Sequence, residues 1–243
     1  MKVRVFAQEK YRHELKYICS ESAMFIIESK ISRTMKRDPY ADLNGEYVIR
    51  SVYFDDYRHT CFFENEDGVD PREKYRIRIY NQSAGRISLE RKRKKSSMTG
   101  KDVCIITPEI CELMLSGDHK HIGSYMGYHP LLNDWIVQSR TGLLKPVMLG
   151  EYVRKPFVCH LGNVRITFDR NICASRQFDC LFDKDISRVA VLPTGYHILE
   201  VKWDDYLPDV IYHLIEDGHL QQSTFSKFYL GRKALGGNVY ELW

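Results

Sequence analysis

With 243 residues, 44% of them hydrophobic and 28% charged, the chain has the make-up of a globular protein with a sizeable core, which excludes a disordered or fibrous polypeptide. The net charge of +4 is too mild for a general nucleic-acid binder, and no nucleic-acid partner is expected. No apolar run approaches the roughly 20 residues that span a bilayer, and the opening MKVRVFAQEKYRHELKY lacks a signal-peptide core, so any membrane association is expected through a membrane-protein partner.

Seven scattered cysteines, odd in number and never in a C-x-x-C pair, argue against a disulfide framework or a zinc site. A cytoplasmic location is the expectation. No linker, repeat or low-complexity tract interrupts residues 1–243, which read as a single domain.

Tyr11 to Tyr17 alternates as a strand with Arg12, Glu14 and Lys16 on one face. Ser20 is a good N-cap for a helix through Ala23, Ile27 and Ile31. Tyr47 to Asp55 is β-branched and aromatic, hence a strand, and Asp67-Gly68 with Pro71 marks a loop.

Lys74 to Lys95 then reads as a hairpin joined by a polar turn containing Gly85. At period two, Lys74, Arg76, Arg78 and Tyr80 share one face and Tyr75, Ile77 and Ile79 the other. In the second arm Arg86, Ser88, Glu90, Lys92 and Lys94 share a face, so Glu90 is an acid among bases. Arg91, Arg93 and Lys95 alternate to the outside. Between Arg72 and Lys101 eleven Lys or Arg stand against two acids, which more than accounts for the net charge.

Thr107-Pro108-Glu109 is a cap followed by proline at the first helical position, opening a short helix that ends near Gly117. Pro130 to Leu144 has helical spacing. Strands follow at Val147 to Val158, with Tyr152 and Arg154 on one face, and at Asn163 to Arg170, with Arg165, Thr167 and Asp169 on one face. A last strand, His197 to Trp203, puts Ile198, Glu200 and Lys202 together. A helix with Leu207, Ile211 and Ile215 on its apolar side and a final one capped by Ser223, carrying Ser226, Lys227 and Arg232, end the chain.

The recurring feature is a strand face with Arg or Lys, sometimes beside Glu, at i, i+2. A solvated surface is the ordinary explanation of such faces. If they turn inward instead, burying so many unpaired charges is prohibitive, so the interior has to be wet. A wet cationic interior with a few carboxylates suits a phosphate chain and a divalent metal: Arg forks and Lys point charges take phosphate oxygens, and carboxylates take Mg²⁺ or Mn²⁺.

The ordered set R-x-E-x-K (Arg12 to Lys16), S-V-Y-F-D (Ser51 to Asp55), D-G-V-D-P-R-x-K-x-R-I-R (Asp67 to Arg78), L-E-R-K (Leu89 to Lys92), Y-x-R (Tyr152 to Arg154), R-I-T-F-D (Arg165 to Asp169), L-E-V-K (Leu199 to Lys202) and S-K-F (Ser226 to Phe228) resembles the VTC domain. That is the polyphosphate polymerase domain of vacuolar transporter chaperone proteins, within the triphosphate tunnel metalloenzymes. The resemblance implies an α+β fold: a closed antiparallel β-barrel of eight strands, the tunnel, with helices outside and a C-terminal helix near it.

It also implies an enzyme that transfers the γ-phosphate of ATP to a growing inorganic polyphosphate, with Mn²⁺ or Mg²⁺ as cofactor. By similarity Lys16, Arg76, Arg78, Lys92, Arg154, Arg165, Ser226 and Lys227 hold nucleotide or polymer phosphates, with Arg76, Arg78, Lys92 and Lys227 closest to the chemistry. Glu200 is the implied metal ligand. Glu14 and Glu90 as further ligands, and Lys202 as a further phosphate contact, follow from their places on the charged faces.

Eukaryotic relatives add an N-terminal phosphate-sensing domain and transmembrane helices, for which this sequence shows no pattern. Hydrolase and cyclase relatives begin E-x-E-x-K where this chain has Arg12, and one carboxylate fewer weakens a two-metal hydrolytic site and leans toward transfer or binding. A tripolyphosphatase or nucleoside triphosphatase on the same scaffold, and a non-catalytic polyphosphate-binding module, are the alternatives.

Overall fold

The computed structural model describes residues 11–96, 98–216 and 220–236. The signal-peptide reading falls largely on residues 1–10, outside the described residues, as do both ends of the single-domain reading.

The strands are β1 (His13–Ser20), β2 (Lys36–Arg37), β3 (Tyr47–Asp55), β4 (Arg72–Tyr80), β5 (Ser83–Lys95), β6 (Met98–Ile106), β7 (Lys145–Cys159), β8 (Val164–Ser175), β9 (Val189–Ala190), β10 (Tyr196–Trp203) and β11 (Gln221–Gln222). The helices are α1 (Glu21–Ile31), α2 (Thr60–Glu66), α3 (Pro108–Ser116), α4 (Pro130–Thr141), α5 (Asp209–Ile215) and α6 (Lys227–Ala234).

All eleven strands belong to one sheet, paired antiparallel throughout in the order β11-β1-β10-β8-β7-β3-β4-β5-β6, with β2 on β7 and β9 on β8. Eight of them are long, as expected, and antiparallel, but among the described residues no ladder joins β6 back to β1 to close the barrel. The two edges meet at one antiparallel bridge, where Arg12 and Thr99 exchange two backbone hydrogen bonds of 3.1 Å. The sheet is therefore rolled rather than laddered shut.

Local chemistry explains most of the elements. The Ser20 hydroxyl accepts from Ala23 N at the start of α1, and Thr107 does the same for Ile110 N at α3, whose end is a left-handed Gly117. The hairpin turn is Asn81-Gln82, both at positive φ (+50° and +51°), with Tyr80 opposite Ser83. This corrects the Gly85 turn: Asn tolerates the left-handed region, and its carboxamide oxygen also takes Val48 N at 2.8 Å.

Two further corrections concern elements the pattern did not reveal. β6 is read through by Gly100 and Lys101, and α2 is held at its start by Asp55 and Asp56, whose carboxylates accept from Thr60, Cys61 and Phe62 N–H groups. The final helix is capped by Ser226, not Ser223, because 221–223 run extended along β1, where Ser223 N donates to Lys16 O.

The cores lie mostly outside the roll. Tyr75, Ile77, Ile79, Ile87 and Leu89 pack under α3 and α4 with Trp135 and Ile136, while Ile166, Phe168, Leu199 and Val201 pack under α1 and α5. Apolar residues on the outward faces leave the charged faces to converge. Part of the inside is also apolar: Tyr47, Ile49, Tyr152, Ile198 and Phe225 form one cluster, and Tyr53, Met148 and Phe228 another beneath α6. Gly231 lets α6 come this close, since a Cβ there would run into the Met148 side chain.

Candidate phosphate-binding cavity

The concave face encloses a cavity of about 390 Å³ lined by β1, β4, β5, β7 and β10, the segment 222–226 and the start of α6. Ten Lys or Arg line it against three Glu. Of the residues picked out from the sequence, Lys16, Arg76, Arg78, Lys92, Arg154, Lys202, Ser226, Lys227, Glu14 and Glu200 all line it. Arg165 and Glu90 do not.

Each cation on β4 faces a partner on β5: Arg76 stands opposite Glu90, Arg78 opposite Ser88, Lys74 opposite Lys92. Arg76 reaches Glu90 at 2.6 Å, and the same carboxylate takes Lys101 at 3.1 Å and Arg78 at 3.7 Å. Burial opposes ionisation of Glu90, yet Arg78, Arg76 and Lys101 outweigh it and hold the carboxyl far below its ordinary range. Glu90 thus braces the two arginines behind the cavity wall.

Across the roll, Arg154 makes a fork to Asp169, with bonds of 2.7 Å from Nε and the second nitrogen, and reaches Glu200 at 3.1 Å. Lys227 at the start of α6 contacts Asp169 at 2.6 Å and lies over the Tyr152 ring. Asp169 is fully buried; burial raises its pKa, but Arg154 and Lys227 prevail and keep it ionised. Alternation along the chain assigned this residue no site role, although it shares β8 parity with Thr167 and Arg165.

β1 and β10 supply the carboxylates. Their register sets Glu14 opposite Lys202 and Lys16 opposite Glu200. Glu14 contacts Lys16 at 2.7 Å and Lys92 at 3.1 Å; Glu200 contacts Lys202 at 2.9 Å. Burial and the neighbouring Glu200 push the Glu14 pKa up, but Lys92, Lys16 and Lys202 outweigh them and hold it well below the usual carboxylate range.

The cationic wall also reaches Tyr53: burial alone would raise its phenol, but Arg76, Arg78 and Lys227 bring it below its ordinary value. Lys74 and Lys94 are lining cations that the sequence placed on the charged faces without assigning them a role. The Lys74 ammonium donates to Ser226 Oγ at 3.3 Å.

Arg165 occupies the inward parity of β8 but bends away, donating to Asp38 at 2.6 Å and to the Tyr47 hydroxyl at 2.7 Å. Arg12 likewise leaves the cavity for Asp204, at 2.7 Å, so β1 brings in a single carboxylate.

No group of three or more His, Cys, Asp or Glu side chains is assembled for a metal among the described residues. Magnesium-type sites commonly use one or two carboxylates and complete their shell with water and substrate phosphate. Glu14 and Glu200, facing the cavity from adjacent strands, fit that mode and not an all-protein cage.

All seven cysteines are free, and no helix among the described residues is long and apolar enough to cross a membrane.

No curated protein sequence matches the chain. Among solved structures it is similar to a putative adenylyl cyclase from Hippeastrum described as having a dominant triphosphatase activity, at 16% identity and a TM-score of 0.55, covering 91% of this chain and 95% of that one. A putative adenylate cyclase from Bacillus halodurans aligns at 10% identity and a TM-score of 0.47, covering 87% of this chain and 89% of that one. The model of the VTC domain family matches residues 11–236, the span that holds every strand and every cavity-lining side chain described above, and the chain belongs to that family.

Proposed function

We propose that the protein is an ATP-dependent polyphosphate polymerase, moving the γ-phosphate of ATP onto a linear inorganic polyphosphate inside this cavity. The observation that carries the reading is the length of the cation row. From Arg72 to Arg78, β4 turns four cations inward over seven residues, about 20 Å at the rise of a strand. That is longer than a triphosphate and suits a chain. The fold, of the triphosphate-tunnel kind, accommodates it.

Phosphoryl transfer asks chiefly for positioning and charge neutralisation. Arg76, Arg78 and Arg154 would grip phosphate oxygens as forks, while Lys16, Lys92, Lys202 and Lys227 would add point charge around the transferring group. Ser226 would donate from the mouth of α6. Glu90 and Asp169 hold the guanidiniums in place before substrate arrives, so little reorganisation is needed. Glu200 and Glu14 would hold Mn²⁺ or Mg²⁺, which when bound supplies further neutralisation of phosphate charge. Glu90 lies behind the cavity wall, does not line the cavity, and is left out of that ligand set.

Hydrolysis of a triphosphate in the same cavity is the second reading. With Arg12 turned to Asp204, only Glu14 comes in from β1, which favours transfer over a two-metal hydrolytic site. Incubation with ATP and Mn²⁺ followed by gel electrophoresis separates the two. Long polyphosphate with ADP supports the polymerase; orthophosphate with no polymer supports the hydrolase. Tight phosphate binding with neither product would reduce the protein to a binding module.

A further inference from the structure

A second run of positive charge lies away from the cavity. From Ser29 to Arg37 the chain carries Lys30, Arg33, Lys36 and Arg37 and no acid. The fold puts this run at the end of α1 and along β2, with all four cations exposed. Arg33, Lys36 and Arg37 make no ion pair among the described residues. The neighbouring acids are engaged elsewhere: Glu28 and Glu46 both reach Lys155, Asp38 takes Arg165 at 2.6 Å, and Asp42 accepts the N–H groups of Asn44 and Glu46 within its own turn.

Large apolar side chains stand beside these cations. α1 buries Met24, Ile27 and Ile31 against the sheet, so helical spacing turns Ser22, Phe25, Ile26 and Ser29 to the opposite side. Phe25 is 73% exposed and Ile26 47%; in the turn after β2, Tyr40 is 87% exposed and Leu43 fully so. The two parts adjoin. Lys155 joins Glu28 of α1 to Glu46 at the end of the turn, and Arg37 lies along that turn, its Cδ 3.2 Å from where a Cβ on Gly45 would sit.

Single exposed apolar residues are ordinary. Four of them grouped beside cations without carboxylates mark an interaction surface. Its shape selects the partner. Leu43 and Tyr40 stand out from a turn and Phe25 from a helix, and the hollow beside Phe25 and Ile26 is open to solvent, so a peptide finds no groove to fill. A bilayer needs none: its boundary layer takes up Phe, Tyr and Leu side chains while Lys and Arg meet anionic headgroups.

We propose that this face, Phe25 and Ile26 with Arg33, Lys36, Arg37, Tyr40 and Leu43, docks the protein directly on a bilayer containing anionic lipid. α1 packs on the outward side of the sheet, so docking leaves the cavity lining untouched. The charge complementarity of this face holds whatever reaction the cavity carries out.

The test is sedimentation of the whole chain with vesicles of phosphatidylcholine alone and of phosphatidylcholine mixed with phosphatidylserine, over a series of salt concentrations. The wild type should sediment with the mixed vesicles and not with the neutral ones, and rising salt should release it as the surface charges are screened. Arg33→Gln/Lys36→Gln/Arg37→Gln should lower the partition coefficient about tenfold or more, and Phe25→Ser/Leu43→Ser about tenfold. Arg86→Gln/Lys95→Gln, which removes exposed cations elsewhere, should change it less than about twofold. All of these side chains are exposed, and thermal melts verify that each variant folds. No sedimentation of the wild type with mixed vesicles, undiminished binding by the charge or the apolar variant, or an equal loss in Arg86→Gln/Lys95→Gln would overturn the proposal. Capture by an acidic protein without any binding to vesicles would overturn it as well, in favour of a protein partner.

Discussion

Lys92 Nζ lies 3.1 Å from both carboxylate oxygens of Glu14, although their strands, β5 and β1, stand near opposite ends of the sheet's hydrogen-bonded order. An ion pair between such distant strands exists only because the sheet rolls on itself. With the Arg12–Thr99 bridge it is the contact that converts a cationic surface into a cavity.

Removing Glu14 leaves the Lys92 ammonium without its carboxylate, whereas removing Lys92 leaves Glu14 with Lys16. Glu14→Gln is expected to cost about 3 kcal/mol or more in folding stability, with Lys92→Met costing less and the double variant well short of the sum. Urea unfolding of the three variants measures the coupling; strict additivity would deny the pair its closing role.

Acid should weaken the fold through the same groups. Glu14, Glu90 and Asp169 have native pKa values depressed below their unfolded ones, because the surrounding cations outweigh burial. Their stabilisation is therefore fully present above the ordinary carboxylate pKa of about 4 and is lost as pH falls through the native values. The urea midpoint should drop steadily below about pH 4, and Glu14→Gln should flatten that slope.

Lys74 gives the opposite limb. With its ammonium near 8, set by burial and the adjacent Lys16, Arg72 and Arg76 against Cys61, phosphate affinity should weaken as pH rises through about 8. The groups facing it from other elements are Lys16 on β1, Cys61 on α2, Lys92 across the ladder, the capping Ser226 and Phe228 on α6. Lys74→Arg should keep affinity and remove the limb, read by tripolyphosphate titration between pH 7 and 9.5, values that bracket a lysine titrating about a unit either side of 8.

Arg78→Ala should lower turnover about a hundredfold or more while folding survives, since among the described residues the Arg78 side chain is held by Ser51, Tyr152 and a long contact to Glu90. Arg165→Ala should leave turnover within about threefold and cost about 1 kcal/mol by freeing Asp38 and Tyr47. Steady-state kinetics beside thermal melts separate the two arginines; equal loss of turnover in both would return Arg165 to the cavity.

Glu200→Gln should raise the Mn²⁺ concentration giving half-maximal turnover by about tenfold or more. A metal titration checks it, and an unchanged midpoint would remove Glu200 from the ligand set.

Much of this was legible in the chain alone. Alternation placed Arg76 and Arg78 opposite Tyr75, Ile77 and Ile79, so one face of β4 had to be apolar and the other cationic, and the caps at Ser20 and Thr107 fixed α1 and α3. Period two says which side chains share a face. It does not say what that face meets, because the partner is chosen by strand order and by the roll of the whole sheet. Hence Asp169 clasping Arg154 and Lys227, Glu90 shared between Arg76 and Lys101, Arg165 turning to Asp38, and Lys74 left without a carboxylate were decided only in three dimensions. Charge neutralisation in a wet interior is a long-range matter, settled when residues more than a hundred positions apart come within 3 Å, as Lys16 and the carbonyl of Phe225 do at 3.0 Å.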